Sequence, residues 1–361
     1  MTGTRVTVEV PGRPYPVLVG HGVLAHLPAL VADLGVTGAA VVADRAVAAS
    51  YGRPLAAALA GSRGPAPLLD VEAGEQAKTL AGVERVLAFL EAAGLDRHGL
   101  VVAVGGGTIG DLAGFAAAIW LRGVRCVHVP TNLLAMVDSS VGGKTGVNSP
   151  AAKNAIGAFW QPVAVVADLA TLATLPEDDY LAAFGEVVKY AVAMDAGLAA
   201  RLEAERGALL ARSPAALQPV VARCVELKAG VVAADEREGG PREILNYGHT
   251  VGHALESASG FTAAHGRAVA FGMKAAARIA VQVGVCDPGL VGAQDRLLDA
   301  FGLPGALPRV TADAVLEAVP RDKKRREQAV RWVLPTGLGA ARTGVEVPGA
   351  VVAAVLRGLV P

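Results

Sequence analysis

The sequence predicts an α/β fold for its N-terminal part, a mostly parallel sheet covered by helices on both faces, in a chain long enough for two domains. Three observations predict it. Short apolar runs alternate with stretches of helical period from Ala39 to Val129. One such run, Leu100–Val104, is apolar at every position, as a strand buried on both faces must be, and it feeds directly into the turn Gly105-Gly106-Gly107-Thr108-Ile109-Gly110-Asp111. The length of 361 residues exceeds what one compact core usually accommodates.

Taken in order, Arg5–Val10 and Tyr15–Val19 are expected to pair as strands across the Pro11–Pro14 turn, and His21–Leu34 carries Leu and Val at helical spacing. The opening MTGTRVTVEV alternates like a strand and has no apolar core of the kind a signal peptide needs. Ala39–Ala43 is a short apolar strand ending in Asp44. A carboxylate there is placed to accept from ribose hydroxyls, or else sits on an exposed turn. Gly74-Glu75-Gln76-Ala77-Lys78 is expected to open a helix running to about Ala93, and Val124–Val129 is the next strand. Leu100–Leu121 is apolar enough to raise the question of a membrane span, but Gly105, Gly106, Gly107, Gly110 and Asp111 interrupt it, so strand, turn and helix explain it better.

Glycines at a strand-to-helix turn let the backbone approach a pyrophosphate, whose charge meets the free amides of the helix N-terminus. The order GGGxxGD differs from GxGxxG and does not follow the first strand, so the ordinary dinucleotide fingerprint is not met, and a tight turn needing positive φ is the competing explanation. Lys plus Arg and Asp plus Glu number 33 each, so no basic field exists for nucleic acid or an anionic membrane. Cys126, Cys224 and Cys286 are scattered, without CxxC spacing, which points to a reducing, cytoplasmic setting.

From Pro130 to Asn148 the chain mixes apolar, hydroxyl, glycine and lysine residues with no simple period, which suggests function. Lys144, Lys153 and Asn154 offer donors for a phosphate or carboxylate, but GxxxxGK[ST] fails because Asp138 stands where glycine is required. Leu245–Gly266 carries His249, His253 and His265, three of seven histidines. His249 and His253 share a helix face, and the break at Ser259–Phe261 can bring His265 back toward them as a metal pocket. HExxH is excluded by Thr250.

The segments VPTNLLAMVDSSVGGKTGVN, KNAIGAFWQP, GEVVKY, DEREGGPREILNYGHTVGHALE and HGRAVAFGM, with Asp322-Lys323-Lys324 beyond them, resemble in order and register the 3-dehydroquinate synthases of the sugar phosphate cyclase family, from about Gly74 to Met273. The resemblance implies a Rossmann-like NAD domain over residues 1–174, an α-helical metal- and substrate-binding domain over 175–361, and a metal in the cleft between them. It implies NAD contacts at Asp44, Glu75, Lys78, Gly106, Gly107, Thr108, Asp111, Thr131, Asn132, Asp138, Lys144, Lys153 and Thr174. It implies a zinc or cobalt ion on Glu186, His249 and His265, leaving His253 as a non-ligand. Substrate would meet Asp138, Lys144, Asn154, Lys189, Lys228, Arg242, Asn246, His253 and Lys324, with Arg122 reaching in from the second subunit of a homodimer.

The activity so implied is conversion of 3-deoxy-arabino-heptulosonate 7-phosphate to 3-dehydroquinate plus phosphate, in the shikimate route to aromatic amino acids. It proceeds through transient oxidation by NAD, phosphate elimination, reduction and an intramolecular aldol closure. An aminodehydroquinate synthase would run the same chemistry on an amino analogue. A polyol dehydrogenase of the glycerol dehydrogenase type would share NAD and metal but has no use for Lys144, Lys153, Lys189, Arg242 and Lys324, and a non-catalytic relative would be expected to lose metal or NAD positions. Two positions depart from the family pattern: Asn132 replaces a threonine, and Arg267 replaces the glutamate of HGEAVA, two residues from a ligand.

Overall fold

The structure, a computed structural model, describes residues 3–61, 64–72, 74–150, 152–319 and 330–360. These fall into two compact units. One runs to Leu175 and also takes Leu217–Ala233; the other comprises Pro176–Ala216 and the chain from Ala234 onward.

The first unit contains β1 (Thr4–Val8), β2 (Tyr15–Gly20), α1 (Leu27–Asp33), β3 (Ala39–Asp44), α2 (Arg45–Val47), α3 (Arg53–Ala58), β4 (Leu68–Val71), α4 (Leu80–Ala92), β5 (Leu100–Gly105), α5 (Gly107–Ile119), β6 (Arg125–Pro130), β7 (Lys144–Ser149), β8 (Ala152–Phe159) and β9 (Ala164–Asp168). Seven strands form one sheet in the order β1-β2-β9-β6-β5-β3-β4. Only the β1–β2 pair is antiparallel, from Thr4 opposite Val19 to Val8 opposite Tyr15. The apolar runs of β3 and β5 follow from two-sided burial. Val41, Ala43, Leu100, Val102 and Val104 pack on one face with Leu27 and Leu55, while Ala40, Val42, Val101 and Ala103 pack on the other with Val86, Leu90 and Leu112.

Two expectations shift in detail. The helix expected from Gly74 is a 3-10 turn at Glu75–Ala77, and α4 starts only after Thr79, whose hydroxyl accepts from Gly82 N at 3.0 Å as an N-cap. The stretch without a period resolves into two short elements of unlike period, a π-type turn at Ala135–Ser139 followed by β7, which pairs with β8 as a separate hairpin.

In the second unit α6 (Glu177–Met194), α7 (Ala196–Ala204) and α8 (Arg206–Leu210) are followed by α9 (Pro214–Ala234), most of which belongs to the first unit, where Gln218 Nε2 donates to Thr4 Oγ1 at 3.1 Å. Then come α10 (His249–Ala258), α11 (His265–Gln282), α12 (Gly289–Ala300), α13 (Ala312–Ala318), the antiparallel hairpin β10 (Arg331–Gly337) with β11 (Ala340–Glu346), and α14 (Gly349–Leu359). α6 starts with Glu177, Asp178 and Asp179, which suit the positive end of its dipole, and it is buried from Ala182 through Ala193. No helix among the described residues is long and apolar enough to cross a membrane.

Candidate functional site

Three helices of the second unit bring a carboxylate and two imidazoles together, and glycines make this possible. A Cβ on Gly266, next to His265, would lie 1.8 Å from the Ala182 carbonyl oxygen, and one on Gly185, next to Glu186, would lie 2.1 Å from the Gly266 carbonyl. Only hydrogen at these positions lets α6 and α11 approach so closely. On the other side of α11, a Cβ on Gly272 would lie 1.9 Å from the Gly248 carbonyl, one residue before His249.

Glu186 Oε1 receives both rings: His249 Nε2 lies 3.3 Å away and His265 Nε2 3.1 Å. Glu186 is fully buried, and its Oε2 is ion-paired with Lys189 Nζ while accepting no directed hydrogen bond among the described residues. Burial alone would raise the Glu186 carboxyl, but the Lys189 ammonium and the His249 ring hold it well below the usual carboxylate range. His249 Nδ1 is 3.1 Å from the Tyr247 carbonyl, an acceptor only, so Nδ1 carries a proton, and a cation bound here would meet the Nε2 lone pair of the neutral ring. Burial lowers the pKa of the same ring and so favours its neutral form, while Glu186 opposes that shift. His265 is also disfavoured as a cation by burial, yet hydrogen bonds with Glu186 and with Glu256 push it up to about 10. His265 Nδ1 lies 3.4 Å from Glu256 Oε1.

Glu186, His249 and His265 thus offer one carboxylate oxygen and two imidazole nitrogens within 4.8 Å of one another. A buried anionic oxygen, a neutral imidazole and a ring whose proton a cation would replace suit a divalent ion such as zinc. His253, Glu256 and His265 likewise bring one ligand atom each within 4.8 Å of one another. The pairing of His249 with His253 suggested by helix spacing is a ring contact, at 5.2 Å between centroids. Arg267 points elsewhere: its guanidinium donates to the Pro304 carbonyl at 3.0 Å and pairs with Asp178 at 3.4 Å.

The segment before α10 is held by Asp235, which accepts from Gly239 N, Gly240 N and Arg242 N at 2.9, 2.8 and 3.1 Å. Arg242 is 1% exposed and donates to the Glu236 carbonyl. Asn246 Nδ2 donates to Glu238 Oε1 at 3.1 Å, and Glu238 holds a left-handed φ of 60°.

In the first unit, Gly106 caps α5, and the cavity at this turn is lined by Gly105, Gly106, Gly107, Gly110, His128 and Ser139. A Cβ on Gly106 would lie 2.5 Å from Asn132 Nδ2, and one on Gly107 2.8 Å from Ser139 Oγ, a buried hydroxyl without a partner among the described residues. A turn so free of side chains would suit a pyrophosphate. Asn132 retains a structural bond, its Oδ1 accepting from Ala135 N at 2.8 Å. Thr131 N donates to Gly105 O at 3.0 Å, Thr108 lies in the first turn of α5, and Asp44 caps α2 through Ala46 N at 2.9 Å.

Lys78, almost fully buried, pairs with Asp111 at 2.7 Å and donates to Asn154 Oδ1. Burial raises the Asp111 carboxyl, and Lys78 opposes that. Glu75 faces Lys78 and Lys153, each at 3.9 Å, and accepts from Asn148 Nδ2 at 2.7 Å. Lys228 pairs with Asp138 Oδ1 at 2.9 Å within this unit, whereas Arg242 belongs to the other. Thr174 bonds to the Thr171 carbonyl at 3.0 Å, and Lys144 is exposed at the start of β7. Arg122 follows α5 with left-handed φ, beside exposed Ile119 and Leu121. Lys324 lies outside the described residues. Reading the sequence missed Glu256, Tyr247, Asn148 and Ser139; Glu256 alone had a signal, as a carboxylate one helical turn beyond His253.

Two family models match consecutive stretches of the chain: 3-dehydroquinate synthase N-terminal over residues 68–182, and 3-dehydroquinate synthase C-terminal over 183–325. A 3-dehydroquinate synthase of Pelobacter propionicus is 45% identical over 336 residues, 92% of this chain and 94% of that protein. A solved structure of 2-deoxy-scyllo-inosose synthase with carbaglucose-6-phosphate, NAD+ and Co2+ superposes with a TM-score of 0.91 at 29% identity, covering 98% of this chain and 100% of that one. For 2-epi-5-epi-valiolone synthase from Streptomyces hygroscopicus, with NAD+ and Zn2+ bound, the TM-score is 0.87 at 30% identity, with 96% of each chain covered.

Proposed function

Because the chain belongs to the 3-dehydroquinate synthase family, we propose that it converts 3-deoxy-arabino-heptulosonate 7-phosphate to 3-dehydroquinate and inorganic phosphate. The observation that carries the substrate choice is the 45% identity to a dehydroquinate synthase across 92% of the chain, against 29 and 30% for the two cyclases of other names. Arg242 supplies a physical reason. A carboxylate substrate needs a planar, permanently charged partner, and the buried guanidinium is fixed by the Glu236 carbonyl at one nitrogen while Asp235 holds its backbone.

Glu186, His249 and His265 would hold a divalent ion, which supplies Lewis acidity toward substrate hydroxyls. The glycine turn at Gly106–Gly107, with Thr108, Thr131, Asn132 and the Glu75–Lys78–Asp111–Lys153 cluster, would hold NAD, which supplies a hydride acceptor restored within each turnover. The chain's own residues do the rest. Tyr247 O keeps the His249 proton on Nδ1, and Lys189 keeps Glu186 ionised inside an apolar helix packing. Lys144, Asn154, Asn246, His253 and Lys324 are assigned to phosphate and hydroxyl oxygens. Lys228 is already matched by Asp138, so the main share of carboxylate recognition falls to Arg242. The exposed Ile119 and Leu121 beside Arg122 suit a homodimer in which Arg122 serves the partner.

The test is phosphate release, measured side by side from the heptulosonate phosphate, its amino analogue, glucose 6-phosphate and sedoheptulose 7-phosphate, with NAD substoichiometric. Turnover of the first compound alone, without matching NADH, is expected. Preference for a neutral sugar phosphate, or NADH formed one-to-one with product, overturns the reading.

A further inference from the structure

We propose that Glu256 is a positioning residue for the metal centre: its carboxylate holds the Nδ1 side of His265 so that Nε2 faces Glu186, and it thereby sets the affinity of the site for a divalent ion. The inference rests on the reading of Glu186, His249 and His265 as ligands. Its own observations are separate from that reading. Glu256 sits on α10, one turn beyond His253, and is 3% exposed, a setting in which a carboxylate is rarely found without a charged or hydrogen-bonding partner. Its Oε1 lies 3.4 Å from His265 Nδ1, while the opposite nitrogen of the same ring lies 3.1 Å from Glu186 Oε1. The imidazole is therefore clamped between two buried carboxylates at its two nitrogens.

The asymmetry between the two histidines sharpens the assignment. His249 is oriented by a backbone carbonyl, Tyr247 O at 3.1 Å, which cannot be removed by substitution and carries no net charge. The Tyr247 side chain is itself tied down, its hydroxyl donating to buried Gln294, whose Nε2 donates to the Met273 carbonyl at 2.9 Å. His265 begins α11 and is a third exposed at the side chain, so no helix turn precedes it to fix its ring. A full negative charge at Nδ1 supplies the orientation and also makes Nε2 a stronger donor toward a cation. Phe261 N and Ser259 Oγ donate to the Glu256 backbone carbonyl at 2.7 and 3.0 Å, so the end of α10 is anchored independently of the carboxylate.

The experiment uses the full chain. Zn2+ affinity is measured by competition with a chromophoric chelator for the wild type, Glu256→Gln, Glu256→Asp and Glu256→Ala, with Co2+ visible absorption as a second readout and thermal unfolding of the chelated proteins alongside. Glu256→Gln is expected to lose about 10- to 100-fold in Zn2+ affinity and to alter the Co2+ spectrum while the chelated protein unfolds near the wild-type temperature. Glu256→Asp should recover part of the affinity. Unchanged affinity in Glu256→Gln, whatever happens to the unfolding temperature, overturns the proposal. So does a second equivalent of metal lost with Glu256, which would make His253, Glu256 and His265 a site of their own. A wild type that binds no divalent ion would instead sink the ligand assignment, so the two failures are distinct; if Glu256→Ala does not fold, the Gln and Asp variants decide.

Discussion

Replacing Gly266 by alanine separates helix packing from ligand chemistry, because it adds one methyl group and leaves every candidate ligand in place. The new Cβ would stand 1.8 Å from the Ala182 carbonyl oxygen, a backbone atom that has no rotamer by which to move aside. Ordinary contact begins near 3.4 Å, so α6 and α11 must part by about 1.6 Å or one of them must bend. His265 is the neighbouring residue and would carry its ring outward, taking Nε2 from 3.1 Å beyond hydrogen-bond reach of Glu186 Oε1. Metal–ligand distances tolerate only about 0.2 Å, so Zn2+ affinity should fall at least about 100-fold. Overpacking should also cost about 1–3 kcal/mol of stability. Gly230→Ala is the control: it lies in the interior of α9, a Cβ there meets nothing within 4 Å, and alanine should stabilise by about 0.5–1 kcal/mol. Chelator-competition titration and urea unfolding of both variants decide the matter. Wild-type Zn2+ affinity in Gly266→Ala would refute the claim that glycine contact between α6 and α11 builds the site.

Three further outcomes are expected. His249→Ala and Glu186→Gln should lose the divalent ion by elemental analysis while keeping the circular dichroism of the wild type, and full occupancy in both would remove the ligand assignment. Arg242→Ala should lower kcat/KM for the heptulosonate phosphate by about 2–4 kcal/mol, roughly 30- to 1,000-fold, because the substrate carboxylate is left unpaired; a loss below threefold would move carboxylate recognition elsewhere. His128, buried in β6, is pulled down by burial from an ordinary value of 6.5 to about 4. Between those values the unfolded chain binds a proton the folded one refuses, so stability is full above pH 6.5 and falls by about 3 kcal/mol as pH drops toward 4. Urea unfolding of His128→Leu should lack that component, and an unchanged pH slope would count against it.

The sheet was legible because burial on both faces leaves a mark in every residue of a strand. β3 and β5 could be placed from Ala39–Ala43 and Leu100–Val104 to within a residue at their ends. The glycine turn was legible for the same local reason, since Gly106 and Gly107 are needed where they stand. Helix starts were less so: the side chain of Thr79, and not the apolar period, decides where α4 begins. Nothing in the sequence separates Leu217–Ala233 from its neighbours, yet it packs with the first unit, where Gln218 meets Thr4 and Lys228 meets Asp138.

At the candidate metal site the divide between legible and hidden follows chain separation. His249 and His253 announce themselves by helix spacing, but spacing fixes only which face they share and not which atoms converge. The converging oxygen belongs to Glu186, in a stretch of α6 whose neighbours Val187 and Val188 are fully buried. The sequence points to Glu186 only through the family resemblance, although a Glu and a Lys three residues apart inside an apolar run need a polar or charged partner. In the structure they pair with each other, and the second oxygen of Glu186 meets both imidazoles. Arg267 illustrates the reverse case. A charge reversal two residues from His265 is conspicuous in sequence, yet a long side chain on the first turn of α11 can reach the Pro304 carbonyl and Asp178, so the guanidinium is held by those groups and not by Glu186, His249 or His265. Arg267, two residues from His265 in sequence, contacts Pro304 and Asp178, whereas Glu256, nine residues away, contacts the His265 ring, because along helices direction is set by which face a residue occupies and by what the neighbouring helix leaves room for.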